Sequence, residues 1–343
     1  GSEKVGGKDF PARRTRKIKL RPEQPRLPHC SSAMASLTDE FTLSDDPQGS
    51  LVEKLKKLEV TPNAEVKEKL ELIQFLKNHK MRKPDLVVKY GLDLINSHQL
   101  GDDEWDMIED VMISSLDIGD AQLAYDMYTT RLEKKFKKPE GSIRLDRLKA
   151  RLYEFQGNYE NATRIYNSIL HRDQANKHAY RRLACIAKAK GDTSATVEAL
   201  NKYLKIFPGD LEGWLELAEA YTSLERYEYV KFCYEEAILI EPHDYRYPLL
   251  YADALYSLGQ QKRKGNVRNP IETAKTYYIQ ALELCPGNVR SLFGLAMCIR
   301  CLKVTPQMQE LFEWTEMEIT KAYSKAGKGG RNMLNYALKA LRQ

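Results

Sequence analysis

EGWLELAEAYTSLERYEYVKFCYEEAILIEPHD, residues Glu212–Asp244, sets Trp214, Leu217, Ala218 and Tyr221 at i, i+3, i+4 and i+7, and then Val230, Tyr234 and Ala237 at i, i+4 and i+7. Each set draws one apolar stripe along a helix of 3.6 residues per turn, so the stretch reads as two amphipathic helices. Pro242 closes it, because a residue with fixed φ and no N–H cannot extend a helix. One hairpin of this kind cannot bury its own apolar face and needs neighbours stacked against it.

Neighbours recur in strict register. Arg144–Asn176 and His178–Asp210 align with the stretch so that Ala150, Ala184 and Ala218 stand 34 residues apart, as do Gly157 and Gly191, while Pro208 matches Pro242. The Trp…Leu-Ala…Tyr…Ala…Pro spacing is that of a tetratricopeptide repeat. A looser copy upstream contains Ile108, Met112, Gly119, Ala124 and Tyr128, and the connection after it is lengthened by Lys137–Gly141. A fifth contains Tyr251, Ala252, Gly259, Ala274, Tyr278, Ala281 and Pro286, with a basic insert from Gln260 to Pro270 between its helices. A sixth starts at Leu292–Ala296 and pairs with a helix predicted from Gln307 to Ala326; Ala64–Lys80 with Pro84–Gln99 make one more hairpin, and Arg331–Leu341 a closing helix. The expected architecture is all-α: a solenoid of about six to seven helix hairpins over 51–343, after a basic head and linker over 1–50.

The whole-chain net charge of +6 sits in that head, where residues 1–33 hold nine Lys/Arg against three acids. Its prolines and lack of apolar periodicity predict a disordered segment. Gly1-Ser2 reads as a cloning remnant and Met34 as a natural start, with a basic targeting or nucleic-acid tail as the alternative. No run of 18 apolar residues occurs, so no spanning helix is expected.

Catalytic patterns are missing: the six histidines never fall in HExxH, and neither a phosphate-binding glycine loop nor a Gly-x-Ser-x-Gly elbow is present. No enzyme activity, cofactor or metal is expected. Cys298 and Cys301 make a CxxC, but a structural zinc needs four ligands. Together with Cys185 and Cys233 they fall within repeat helices, where a thiol serves as a small apolar filler.

The remaining function is binding. In stacked repeats the first helices line the concave face, and counting from the Trp214 slot assigns to it Arg144, Arg147, Arg151 and Glu154, then His178, Arg181, Cys185 and Lys188, then Glu212, Leu215, Glu219 and Thr222, then Arg246, Leu249, Asp253 and Tyr256, with Phe293 beyond. Such a groove is basic in its first half and suits acidic or carboxylate groups, to which Arg offers a bidentate fork. The competing reading is a merely solvated charged face.

Asp102-Asp103-Glu104-Trp105, then Glu109–Asp117, then Arg290-Ser291-Leu292-Phe293-Gly294-Leu295 narrow the choice. Through these segments the chain, from about residue 65 to 326, resembles the family of subunit 2 of the endoplasmic reticulum (ER) membrane protein complex. The resemblance implies a cytosol-facing scaffold that performs no chemistry. Its concave surface would cradle cytosolic parts of membrane-embedded subunits and a second soluble subunit, within an insertase for tail-anchored and other transmembrane segments. Two other classes stay open from the residues themselves. One is a co-chaperone or adaptor binding acidic C-terminal peptides, weakened because Arg151, Cys185 and Glu219 stand where an Asn would be sought. The other is an RNA-processing repeat protein, for which the neutral body offers little phosphate-neutralising charge.

Overall fold

The computed structural model describes residues 53, 66–136, 141–261, 268–302, 305–324, 332, 334–336, 338 and 339. The head over 1–50, the start at Met34, most of the insert after Gln261 and much of the closing segment lie outside the described residues. Those described contain helices and no strand. In order they are α1 (Val66–Asn78), α2 (Pro84–Ser97), a 3-10 turn (Gly101–Asp103) leading into α3 (Glu104–Ile118), and α4 (Ala121–Asp126), which passes through a π-helical segment (Met127–Glu133) into α5 (Lys134–Phe136). Five hairpins follow: α6 (Ile143–Phe155) with α7 (Tyr159–Arg172), α8 (Lys177–Ala189) with α9 (Thr193–Ile206), α10 (Leu211–Ser223) with α11 (Tyr227–Ile240), α12 (Arg246–Gln261) with α13 (Arg268–Leu284), and α14 (Val289–Cys301) with α15 (Pro306–Ser324).

The chain divides into two compact units, 1–80 and 81–343. In the first, the described helix α1 carries Leu72, Ile73 and Leu76 on one face. The second begins with α2 packed along α3. Gly91 permits this contact: a β-carbon there would stand 2.4 Å from Val111 Cγ2, so only glycine lets α3 come this close. The contact removes Leu94, Ile95, Ile108, Val111 and Met112 from solvent.

Within the repeats the expected residues do the expected work. Ala150, Ala184 and Ala218 are buried at the contacts between helices, beside Ala162, Ala237, Ala252, Ala274 and Ala281. Trp214 packs in the core with Leu217 and Tyr221, and its indole N–H donates to the Pro208 carbonyl at 2.8 Å, tying the helix to the turn before it. Pro208, Pro242 and Pro286 each stand two residues beyond a helix end. Asp120, Asn158, Asn176, Asp192 and Asn288 cap helix starts by accepting from the amide three residues on, which satisfies a donor that has no partner inside the helix. Gly157 and Gly191 each turn the chain between paired helices at φ +73°. The same slot in the next copy, 34 residues on, is Glu225, held at φ +54°.

Candidate functional site

Most of the charged residues assigned to the groove reach across to the neighbouring first helix. Arg144 on α6 donates to Asp106 and to Glu109 on α3, both at 2.5 Å, and Arg147 donates to the other Glu109 oxygen. Glu109 is only 7% exposed, so two guanidiniums compensate one nearly buried carboxylate. On α8, Arg181 donates to Glu212 of α10 at 2.7 Å and approaches Glu216 at 3.8 Å, while Lys188 donates to Glu219 at 2.8 Å. Among the described residues Arg151 has no carboxylate within ion-pair range. His178 joins the group: partial burial, and then the positive charges of Arg147, Arg181 and Lys177, hold its imidazole below the usual histidine pKa against the opposing pull of Glu109. Arg147, His178 and Arg181 therefore feel one another across two hairpins.

The charge distribution gives the ladder its logic. Residues 101–130 hold nine Asp/Glu and no Lys/Arg, residues 144–209 hold thirteen Lys/Arg against six Asp/Glu, and residues 210–244 hold ten Asp/Glu against two Lys/Arg. Basic hairpins are thus stacked between acidic ones, and each boundary is stitched by ion pairs between first helices.

Two polar relays escaped the slot counting. Tyr166 on α7 donates to Glu154 at 2.6 Å, and Glu154 is clamped by Arg182 of the next first helix. Tyr278 on α13 donates to Asp253 at 2.6 Å, and Asp253 accepts from Arg290 at 2.5 Å. Burial and the adjacent carboxylate push both phenols well above the usual tyrosine range. The signal was in the sequence: Tyr166 and Tyr278 each follow a buried alanine, Ala162 and Ala274, by four residues.

Leu249 corrects the slot rule. It is 6% exposed and packs in the core, because α12 buries residues from Tyr247 to Gly259 around most of its circumference and leaves no open face at that position. Leu215, Asp253, Tyr256 and Phe293 are half-buried, and Tyr256 and Phe293 pack against the C-terminal core. Cys301 is a second correction: it is exposed, with Gln260 donating to its sulfur at 3.3 Å and the Tyr256 hydroxyl at 3.7 Å. Cys298 and Cys233 are buried fillers, their thiols pushed up to about 12 by burial. A small cleft of about 210 Å³ between α8, α9 and α10 is lined by Ala184, Lys188, Thr196, Leu200, Glu216 and Glu219. Two hydroxyls at its wall, Thr196 and Ser223, donate to the helix carbonyls of Asp192 and Ala220, each at 2.8 Å. No described helix is long and apolar enough to cross a membrane.

Comparison with known proteins agrees with this architecture. Residues 140–263 match the EMC2 TPR-like repeat domain. The ER membrane protein complex subunit 2-A of Xenopus laevis is 35% identical over 257 residues, which cover 72% of this chain and 83% of that protein. The ER membrane protein complex subunit 2 of Dictyostelium discoideum is 32% identical over 280 residues, covering 75% of this chain and 84% of that one. Among solved structures, the C-terminal part of a TPR repeat-containing protein from Cytophaga hutchinsonii superposes with a TM-score of 0.51 at 15% identity, over 73% of this chain and 97% of that one, and shares the fold alone. With about a third of the aligned residues identical to those relatives over most of their length, and with the matching repeat domain, the chain belongs to the family of ER membrane protein complex subunit 2.

Proposed function

We propose that this chain is a non-catalytic scaffold subunit of an ER membrane protein complex, peripheral on the cytosolic face of the membrane. In this role it organises cytosolic segments of membrane-embedded subunits, and a second soluble subunit, of an insertase for tail-anchored and multipass proteins. The observation that carries the reading is its 35% identity over 83% of a relative named for that complex. The first-helix face supplies the contacts: Arg144, Arg147, Arg151, His178, Arg181 and Lys188 on the basic hairpins, Leu215 and Glu219 on α10, and Asp253, Tyr256 and Phe293 farther on. Because most of these charges already have carboxylate partners, a bound segment adds to an existing network and gains from complementarity of field more than from any single pair.

Affinity purification of the full chain from detergent-solubilised membranes, followed by mass spectrometry, tests the reading. Recovery of membrane-embedded subunits of one complex is the expected result. Recovery of chaperones in their place would favour an adaptor for acidic C-terminal peptides, the second reading that the Arg147–His178–Arg181 cluster supports. Alkaline carbonate should strip the chain from microsomes, and a resistant pellet would sink the peripheral assignment.

A further inference from the structure

On the side of the repeats away from the first-helix face, the second helix α11 differs from its counterparts in the two preceding copies. In α11, Tyr229, Phe232 and Leu239 are 47%, 43% and 65% exposed. They lie at i, i+3 and i+10, which places Phe232 and Leu239 on one line of the helix with Tyr229 beside it. The strict 34-residue register supplies the control. The matching slots are Asn161, Arg164 and His171 in α7, and Ala195, Glu198 and Lys205 in α9. The repeat fold therefore does not need apolar side chains there, and two of the three positions are wholly polar in the sister copies. Phe232 meets Trp214 of α10 edge-on at 5.8 Å between ring centroids, and Tyr229 stacks one face on Tyr221 of α10 at 4.9 Å. Close to half of each ring and about two-thirds of Leu239 remain in water, and an apolar line of this kind on a folded surface marks a contact site.

The surroundings specify the occupant. Glu228, Glu235 and Glu236 border the line on α11 against Lys231 alone, within a hairpin of ten Asp/Glu and two Lys/Arg. We propose that the outer face of α11 docks a basic amphipathic helix. Its apolar side would lie along Tyr229, Phe232 and Leu239, and its Lys/Arg side would face the bordering carboxylates. This surface is separate from the first-helix groove and adds a second partner site on the fourth hairpin.

The test uses the full chain and three labelled synthetic peptides of about five helical turns, read by fluorescence anisotropy. One has Leu at two positions per heptad flanked by Lys, one replaces every Lys by Glu, and one scrambles the Leu/Lys order. Tight binding of the first alone is expected, weakened by added salt and about tenfold by Leu239→Ser, with Leu239→Met retaining it. Leu239→Ser adds no charge and changes a side chain mostly in water, so folding, checked by circular dichroism, is preserved; if it is not, the acidic and scrambled peptides still decide. Equal binding of the scrambled or acidic peptide, indifference to Leu239→Ser, or loss of binding on Arg151→Glu in the groove would overturn the proposal. So would Leu239-dependent self-association in sedimentation, which would make the occupant a second copy of the chain.

Discussion

Gly294 lies flat against the ring of Tyr278: a β-carbon on Gly294 would stand 2.4 Å from the ring's Cε1 and Cζ. That ring is buried, and its hydroxyl is anchored on Asp253, so it has no free end to swing away. Gly294→Ala should therefore cost about 1–3 kcal/mol in urea unfolding, although alanine is the better helix former. An unchanged or raised midpoint would show that α13 and α14 separate without penalty.

Glu225 occupies the left-handed slot that Gly157 and Gly191 fill in the two preceding copies. A non-glycine residue there costs roughly 1–2 kcal/mol, part of which glycine gives back through the freer unfolded chain. Glu225→Gly should stabilise by about 0.5–1 kcal/mol net and raise the thermal midpoint. A lower midpoint would mean that Glu225 makes a compensating contact.

Arg181 and Glu212 bridge the basic third hairpin to the acidic fourth. Arg181→Glu should destabilise by about 0.5–1 kcal/mol, as it sets like charges together at a partly exposed site, and Glu212→Arg in the same chain should restore most of the loss. If partners engage the first-helix face as proposed, the swapped double variant is stable yet binds them less well. Full binding by the swap would remove Arg181 from the interface.

His178 gives a pH dependence of defined sign. Its folded pKa lies below the ordinary 6.5, so the unfolded chain takes up the proton first as pH falls. The native state then loses stability from about pH 6.5 downward, until the folded-state pKa is passed and the loss levels off. His178→Gln should flatten the thermal midpoint between pH 7 and 5 relative to the parent chain. Parallel curves would mean that the cluster around His178 does not disfavour its charged form.

The repeat register was legible in the sequence because small and aromatic residues must recur wherever helices meet at the same distance. Ala150, Ala184, Ala218 and Trp214 are packed where the period put them. The close approach of α2 to α3 at Gly91 was not legible, because apolar periodicity does not encode how near two helices come. The π-helical turn at Met127–Glu133 left no mark that spacing alone detects. Slot counting found the charged residues of the first-helix face but not their state, since Arg147, Arg181 and Lys188 are satisfied by carboxylates one repeat away, and a one-copy template carries no information about its neighbour. It failed outright at Leu249, where α12 is enclosed on nearly all sides.

The stacking of basic hairpins between acidic ones means that repeats cut from one template are not interchangeable parts. Excising α6 to α9 would leave the alanine contacts of the remaining hairpins intact, yet would bring α3, with Glu104, Asp106 and Glu109, beside α10, with Glu212, Glu216 and Glu219. Carboxylates would then meet carboxylates along the joint. Shape lets any hairpin follow any other, whereas charge assigns each its address, so the middle of the array cannot be shortened or shuffled without setting like charges together.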